Sequence, residues 1–293
     1  MIVPGRVRWA EILRYVGRPL IWLLMWDVVV TVVYLHTRGS LTFPGLPLSL
    51  LGSVIAIYLS FRNAAAYARW WEARTLWGAM VNHSRSFARE IRLLLPEGLP
   101  GLTEELVRRH IAYVHALRLH LRREPPWDEL ARRLAPGEVL RLKGVANVPN
   151  AIMNRTAEII ATQTGLDSIR LATVTRTMSE LSNAQGGMER IKNTPFPNQY
   201  SAYPVFFTHA FCFLMPVGLV GSLGVYTPLG STAAGFLLLA LLKVGDDMQS
   251  PFSNTENDVP INALARAIEI DLLDCINEPH ALKPVAVESG VLW

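Results

Sequence analysis

GSVIAIYLSFRNAAAYARWWEARTLWGA, Gly52 to Ala79, is the stretch that decides the fold. It begins as an apolar segment of membrane type and runs on into Arg62, Arg69, Trp70 and Trp71 with nothing to stop it. No proline occurs between Pro47 and Pro96. A helix filling most of that interval is about 70 Å long at 1.5 Å per residue, and a hydrocarbon core takes up only about 30 Å of it. The element is therefore expected to cross a bilayer and stand out into the cytosol. Ser53, Ile57 and Phe61 recur at i, i+4, i+8 and share one face, a geometry that suits a pore wall. The other sides are also apolar (Ile55, Leu59) or small (Ala64, Ala65, Ala66, Ala68), as in a helix set in lipid or among copies of itself.

Working outward, the composition agrees. Charged residues make up 18% of the 293-residue chain and hydrophobic ones 51%, against about 25% charged in an average soluble domain. The apolar excess concentrates in Pro19–His36, Leu46–Phe61, Val205–Tyr226 and Leu229–Val244, each near the length of a membrane span. The intervening Glu72–Tyr200 is polar and basic. The chain thus reads as an all-α, four-span membrane protein: a cytosolic amphipathic lead-in (1–18), spans one and two (19–71), a helical cytosolic region (72–203), spans three and four (204–245) and a cytosolic C-terminal segment (246–293).

Loop charges set the orientation. Arg6, Arg8, Arg14 and Arg18 precede the first span and Arg74, Arg85, Arg89 and Arg92 follow the second, whereas the outer connections hold only Arg38. The positive-inside rule puts both termini and the middle region in the cytoplasm. A cleaved signal peptide fits less well, because no small-x-small site follows the first apolar core. Cys212 lies in span three and Cys275 in the cytosolic tail, so a disulfide between them is not expected. The net charge of +4 is the cytosolic excess that topology demands, and no basic stripe points to nucleic acid.

In the polar region, Leu95–Gly101 breaks the chain and a helix starts at Thr103. Leu106, Ile111, Val114 and Leu117 give it an apolar face, and Arg108, Arg109, Arg118, Arg122 and Arg123 a solvated one. Further helices are expected over Asp128–Leu134, Ala151–Gly165 and Asp167–Arg190, with no strand pattern that beats helix.

Few residues could carry chemistry. Asp27 sits mid-way along span one, where a carboxylate costs about 2.5–3.5 kcal/mol unless it is paired or wet. It marks an ion path or a contact between helices. Asp246 and Asp247 at the end of span four, with Glu256 and Asp258 beyond, are weak candidates for a divalent metal. A metal-dependent intramembrane enzyme using Asp246 and Asp247 is the rival they support, and a non-conducting scaffold is another. His83, His110, His115, His120, His209 and His280 show no zinc spacing, and neither a phosphate loop nor a nucleophile elbow is present. No catalytic residue and no cofactor is expected. Arg69, Trp70 and Trp71 read as structural anchors: the tryptophans at the interface, the arginine on a carboxylate such as Glu72 of a neighbouring copy or a C-terminal acid.

These residues resemble the bestrophin family in its bacterial form. The resemblance rests on the four-span layout, Phe61-Arg62-Asn63 followed by small residues and Tyr67-Ala68-Arg69, the run Arg69-Trp70-Trp71, Pro204 at the start of span three, and Ser250-Pro251-Phe252 after span four. It implies a homopentameric channel for monovalent ions whose second spans line a narrow apolar neck of Ser53, Ile57 and Phe61. Ser53 departs from the bulky apolar residue usual there, so the outer end of this neck is expected to be wetter and wider. A second constriction is expected before Gly186-Gly187, with Leu171 as its residue. The animal members bind Ca²⁺ at an acidic run after the Pro-Phe pair. Here that run is Thr255-Glu256-Asn257-Asp258, with two of the four carboxylates missing, so no Ca²⁺ activation is expected. Animal members pass anions and bacterial ones cations, and a cation preference is expected here, with a chloride channel of the same architecture as the alternative.

Overall fold

The computed structural model describes Met1 and residues 15–37, 47–96, 98–99 and 101–293. Most of the lead-in, with Arg6, Arg8 and Arg14, and the first outer connection with Arg38 and Leu46 lie outside the described residues. Among those described, every regular element is helical apart from a lone bridge between Glu288 and Val291. Three segments are long and apolar enough to cross a membrane: Arg18–His36, Leu48–Leu94 and Asn198–Met248. The chain divides into two compact units, formed by the described residues of Gly5–Trp70 with Pro195–Ser250, and of Met1–Pro4 with Trp71–Thr194 and Pro251–Trp293.

The first, apolar unit holds α1 (Arg18–His36), the start of α2 (Leu48–Leu94), α8 (Asn198–Leu223) and α9 (Thr227–Met248). Pro19 and Pro228 open α1 and α9, where the missing N–H is no loss. The segment Asn198–Met248 is two helices because Gly224, at φ 52°, ends α8 and a single 3₁₀ turn, Gly224–Tyr226, leads into α9. Packing is close because small residues face large ones. Gly235 lies under Leu23 and Met215, and Gly218 under Leu48. Val16, Leu23, Cys212 and Leu239 form a small core. Trp26 stacks on Phe213 at 4.5 Å and donates its indole N–H to the Phe213 carbonyl at 2.8 Å.

The second, polar unit is built on α3 (Leu102–Arg122), which packs against α4 (Trp127–Ala131), α6 (Val148–Gln163), α7 (Ser168–Asn193) and α10 (Ile261–Cys275). The short α5 (Pro136–Leu142), which the sequence reading does not anticipate, follows α4. In this unit α2 buries Ala73, Trp77, Met80, Ser84, Phe87 and Ile91, a spacing of three or four that keeps one face inward. Asn147 caps α6 through the Asn150 N–H at 3.1 Å, and Asp167 caps α7 through the Ile169 and Arg170 N–H groups at 2.9 and 3.0 Å.

The expected solvated face of α3 needs correcting. Arg109 is buried and paired in bidentate fashion with Glu138 of α5, and Arg118 and Arg122 both donate to Asn262 of α10, at 2.6 and 3.0 Å. Partners distant in sequence cover what the local pattern leaves polar.

Candidate functional site: the uncovered face of α2

The first turns of α2 have two unlike sides. Leu59, Arg62 and Ala66 are buried within the apolar unit. The opposite side is left uncovered: Ser53 is exposed, Ile57 is 58% exposed and Phe61 67%. Arg62 lies roughly 140° round the helix from Ile57 at 3.6 residues per turn, so no charge shares the uncovered stripe. The Ser53 hydroxyl donates to the Ser49 carbonyl of its own helix at 2.8 Å.

A clamp behind the stripe fixes its direction. Arg62, with no exposed surface, donates from Nε to the Tyr200 carbonyl at 2.8 Å, from Nη1 to the Leu242 carbonyl at 3.0 Å and from Nη2 to the Asp246 carboxylate. The first bond answers a local need. Pro204, four residues on in α8, has no N–H to satisfy Tyr200, and Arg62 replaces it. Asn63 donates to the Leu241 carbonyl at 2.8 Å and the Tyr58 hydroxyl to the Gln199 carbonyl. A Cβ on Gly245 would meet Arg62 Nη1 at 2.7 Å, so the absence of a side chain there makes room for the guanidinium. The Phe-Arg-Asn motif is thus a helix clamp. Sequence reading noticed the motif but gave it no role, because its acceptors are backbone carbonyls about 140–180 residues away.

The Arg69 guanidinium lies over the Phe196 ring at 5.5 Å. Trp70 stacks with Tyr67 at 6.4 Å and Trp71 is exposed. Glu72, expected to serve an arginine of another copy, accepts from Arg190 of its own chain. Leu171 is half-buried in a groove between α6 and α7 with Met153, Ala157, Ile160 and Met178. Ile169, two residues closer to the start of α7, is 79% exposed.

Three of the four acidic candidates accept from protein donors. Asp246 holds Arg62, and Asp247 accepts from the Tyr15 hydroxyl at 2.6 Å and from Lys243 at 2.9 Å. Asp258 is 3% exposed, accepts from Thr255 at 2.5 Å and lies within electrostatic reach of Arg122 and Lys192; Glu256 is exposed. These surroundings do not fit a divalent cation, which would meet positive groups beside its one buried carboxylate. Asp27 is buried between α1 and α9, taking the hydroxyls of Ser231 at 3.0 Å and Thr232 at 2.7 Å, away from the α2 stripe.

The polar unit carries a buried ionic network. Glu269 of α10 accepts from Arg133 at 2.5 Å and meets His115 at 3.2 Å, and Arg133 continues to Glu129 at 2.5 Å. Burial opposes the charge on Glu269, but hydrogen bonds from His115 and Arg133 outweigh it and hold the carboxyl down at about 2. Burial lowers His115 as well. His110, enclosed with Phe87 and Tyr113 and bonded to Ser84 at 2.9 Å, is pushed by burial down to about 3.

Comparison with known proteins adds to this geometry. A family model described as Bacterial/Fungal Bestrophin protein matches residues 6–274. The voltage-dependent anion channel-forming protein YneE of Salmonella typhi is 32% identical over 290 residues, covering 95% of each chain. The protein of that name from Escherichia coli K12 is 34% identical, over 83% of this chain and 80% of its own. A crystal structure of a bacterial bestrophin homologue from Klebsiella pneumoniae carrying a point mutation superposes with a TM-score of 0.83 at 29% identity, covering 89% of this chain and 98% of its own.

Proposed function

This chain belongs to the bacterial/fungal bestrophin family of ion channels and is no enzyme, and from that premise we propose that it is a homopentamer of the bacterial inner membrane in which five copies of α2 turn Ser53, Ile57 and Phe61 towards a common axis. The observation that carries this reading is the stripe left uncovered on the far side of the helix from the buried Arg62. Five such faces meeting at an axis leave a dry, narrow neck that gates by excluding water. Four spans fit, since α8 and α9 are each of membrane length. Both termini, residues 72–203 and residues 246–293 then lie in the cytoplasm. Leu171 of α7 forms the second constriction, on the cytoplasmic side of the neck. Arg69, Trp70 and Trp71 serve as anchors at the membrane boundary.

The permeant ion is monovalent, with cations preferred. The uncovered face has no positive charge, and the one arginine of that stretch is buried on an acid. A preference for anions is the second reading, favoured by the names the relatives bear. Ca²⁺ does not activate the channel, because the run Thr255-Glu256-Asn257-Asp258 lacks two of its four carboxylates.

The test is the reversal potential of the purified protein in a planar bilayer under a KCl gradient, with and without Ca²⁺. Reversal near the K⁺ potential, indifferent to Ca²⁺, is expected. Reversal near the Cl⁻ potential keeps the channel and selects the second reading, and silence refutes conduction. Ile57→Ala with Phe61→Ala raises the conductance; an unchanged current makes the stripe ordinary packing.

A further inference from the structure

We infer that Ser53 is a specificity-determining residue, forming at the outer end of the neck a ring of hydroxyl oxygens that only accept. The inference rests on the neck reading above. A serine hydroxyl has one proton and two lone pairs. Here the proton is committed to the Ser49 carbonyl at 2.8 Å, the back-bond that serines make inside helices. The lone pairs are what remains for whatever passes the exposed side of the residue.

The surroundings sharpen the effect. One turn below Ser53 the stripe is Ile57, then Phe61, with no hydrogen-bonding group on either side chain. Arg62 and Asp27 are both fully buried elsewhere in the apolar unit, each with its own partners. An ion losing water at Ser53 therefore meets oxygen acceptors there. A monovalent cation gains replacement ligands for the water it sheds. An anion needs a donor, and the Ser53 hydroxyl supplies one only by giving up its bond to the helix. The ring favours cations without carrying a charge.

The experiment compares full-length wild type, Ser53→Ala and Ser53→Thr for the K⁺/Cl⁻ permeability ratio, read from reversal potentials. Alanine removes the oxygen and keeps the helix, and threonine keeps a hydroxyl that makes the same back-bond. The ratio is expected to fall about threefold or more in Ser53→Ala, the scale of one lost hydrogen-bond-like contact, and to hold in Ser53→Thr. An unchanged ratio in Ser53→Ala, while Ile57→Ala with Phe61→Ala still raises the current, overturns the inference and leaves the neck intact. An unchanged current in that double variant overturns the neck itself.

Discussion

Replacing Arg62 with leucine should cost more stability than any other single change in the apolar unit. The guanidinium makes three hydrogen bonds there, at 2.8 Å to Tyr200, at 3.0 Å to Leu242 and to the Asp246 carboxylate. Bonds involving a charged group contribute about 1.5–3 kcal/mol each, but leucine restores part of the packing. Asp246, 38% exposed at its side chain, recovers some hydration once it is released. The net loss is then about 3–5 kcal/mol, the range for breaking a buried pair from one side. At about 2–4 °C per kcal/mol this lowers the melting temperature by about 6–20 °C. Arg62→Lys should fall between leucine and wild type, since one ammonium cannot serve three acceptors set out for a planar fork. Asp246→Asn keeps an acceptor and should cost only about 1–2 kcal/mol. The assay is survival of the size-exclusion peak in detergent after stepwise heating. A melting temperature for Arg62→Leu within about 2 °C of wild type would refute the clamp.

Acidification should weaken the polar unit. His110 is held at about 3 in the fold against about 6.5 in an unfolded chain, so the unfolded state takes up the proton first. Its contribution is complete above about 6.5 and is lost as the pH falls towards 3, amounting to about 2 kcal/mol by pH 5. His115 acts in the same direction, whereas Glu269, held at about 2, adds its loss only below about 4.5. Melting temperatures that are flat between pH 7 and 5, or a dependence untouched by His110→Phe, would contradict this. The adjacent glycines of α7 should respond oppositely to alanine. A Cβ on Gly187 meets Leu76 Cδ1 at 2.8 Å and should destabilise by about 1–2 kcal/mol, whereas Gly186 has nothing within 4 Å and should gain about 0.5–1 kcal/mol in helix propensity. Equal thermal shifts in the two variants would count against this packing.

The sequence was readable wherever local physics decides. The unbroken α2 follows from forty-odd residues without proline, α7 begins just after Asp167, and Leu95–Gly101 separates α2 from α3 as its prolines and glycines require. It was misleading wherever a remote partner decides. Arg109 looks solvated on a helical wheel until Glu138, 29 residues on, is brought against it. Asp246 reads as a weak metal candidate and Arg62 as part of a motif, because nothing local shows that they find each other across 184 residues. The stripe at Ser53, Ile57 and Phe61 lies between these cases. Its periodicity was plain, but its being uncovered depends on what α8 and α9 bury on the other side.

The hydroxyl cradle of Asp27 sets a timetable for biogenesis. Its donors, Ser231 and Thr232, are made 204 and 205 residues after it. At about 5–20 residues per second, α1 waits roughly 10–40 s for α9 to be synthesised. Throughout that interval a carboxylate sits at the middle of an otherwise apolar helix without its partners, a burden of about 2.5–3.5 kcal/mol on insertion scales. The newly made α1 is thus the element most dependent on shelter, from the insertion machinery or from water at the bilayer surface, until the last long apolar helix arrives to close over it.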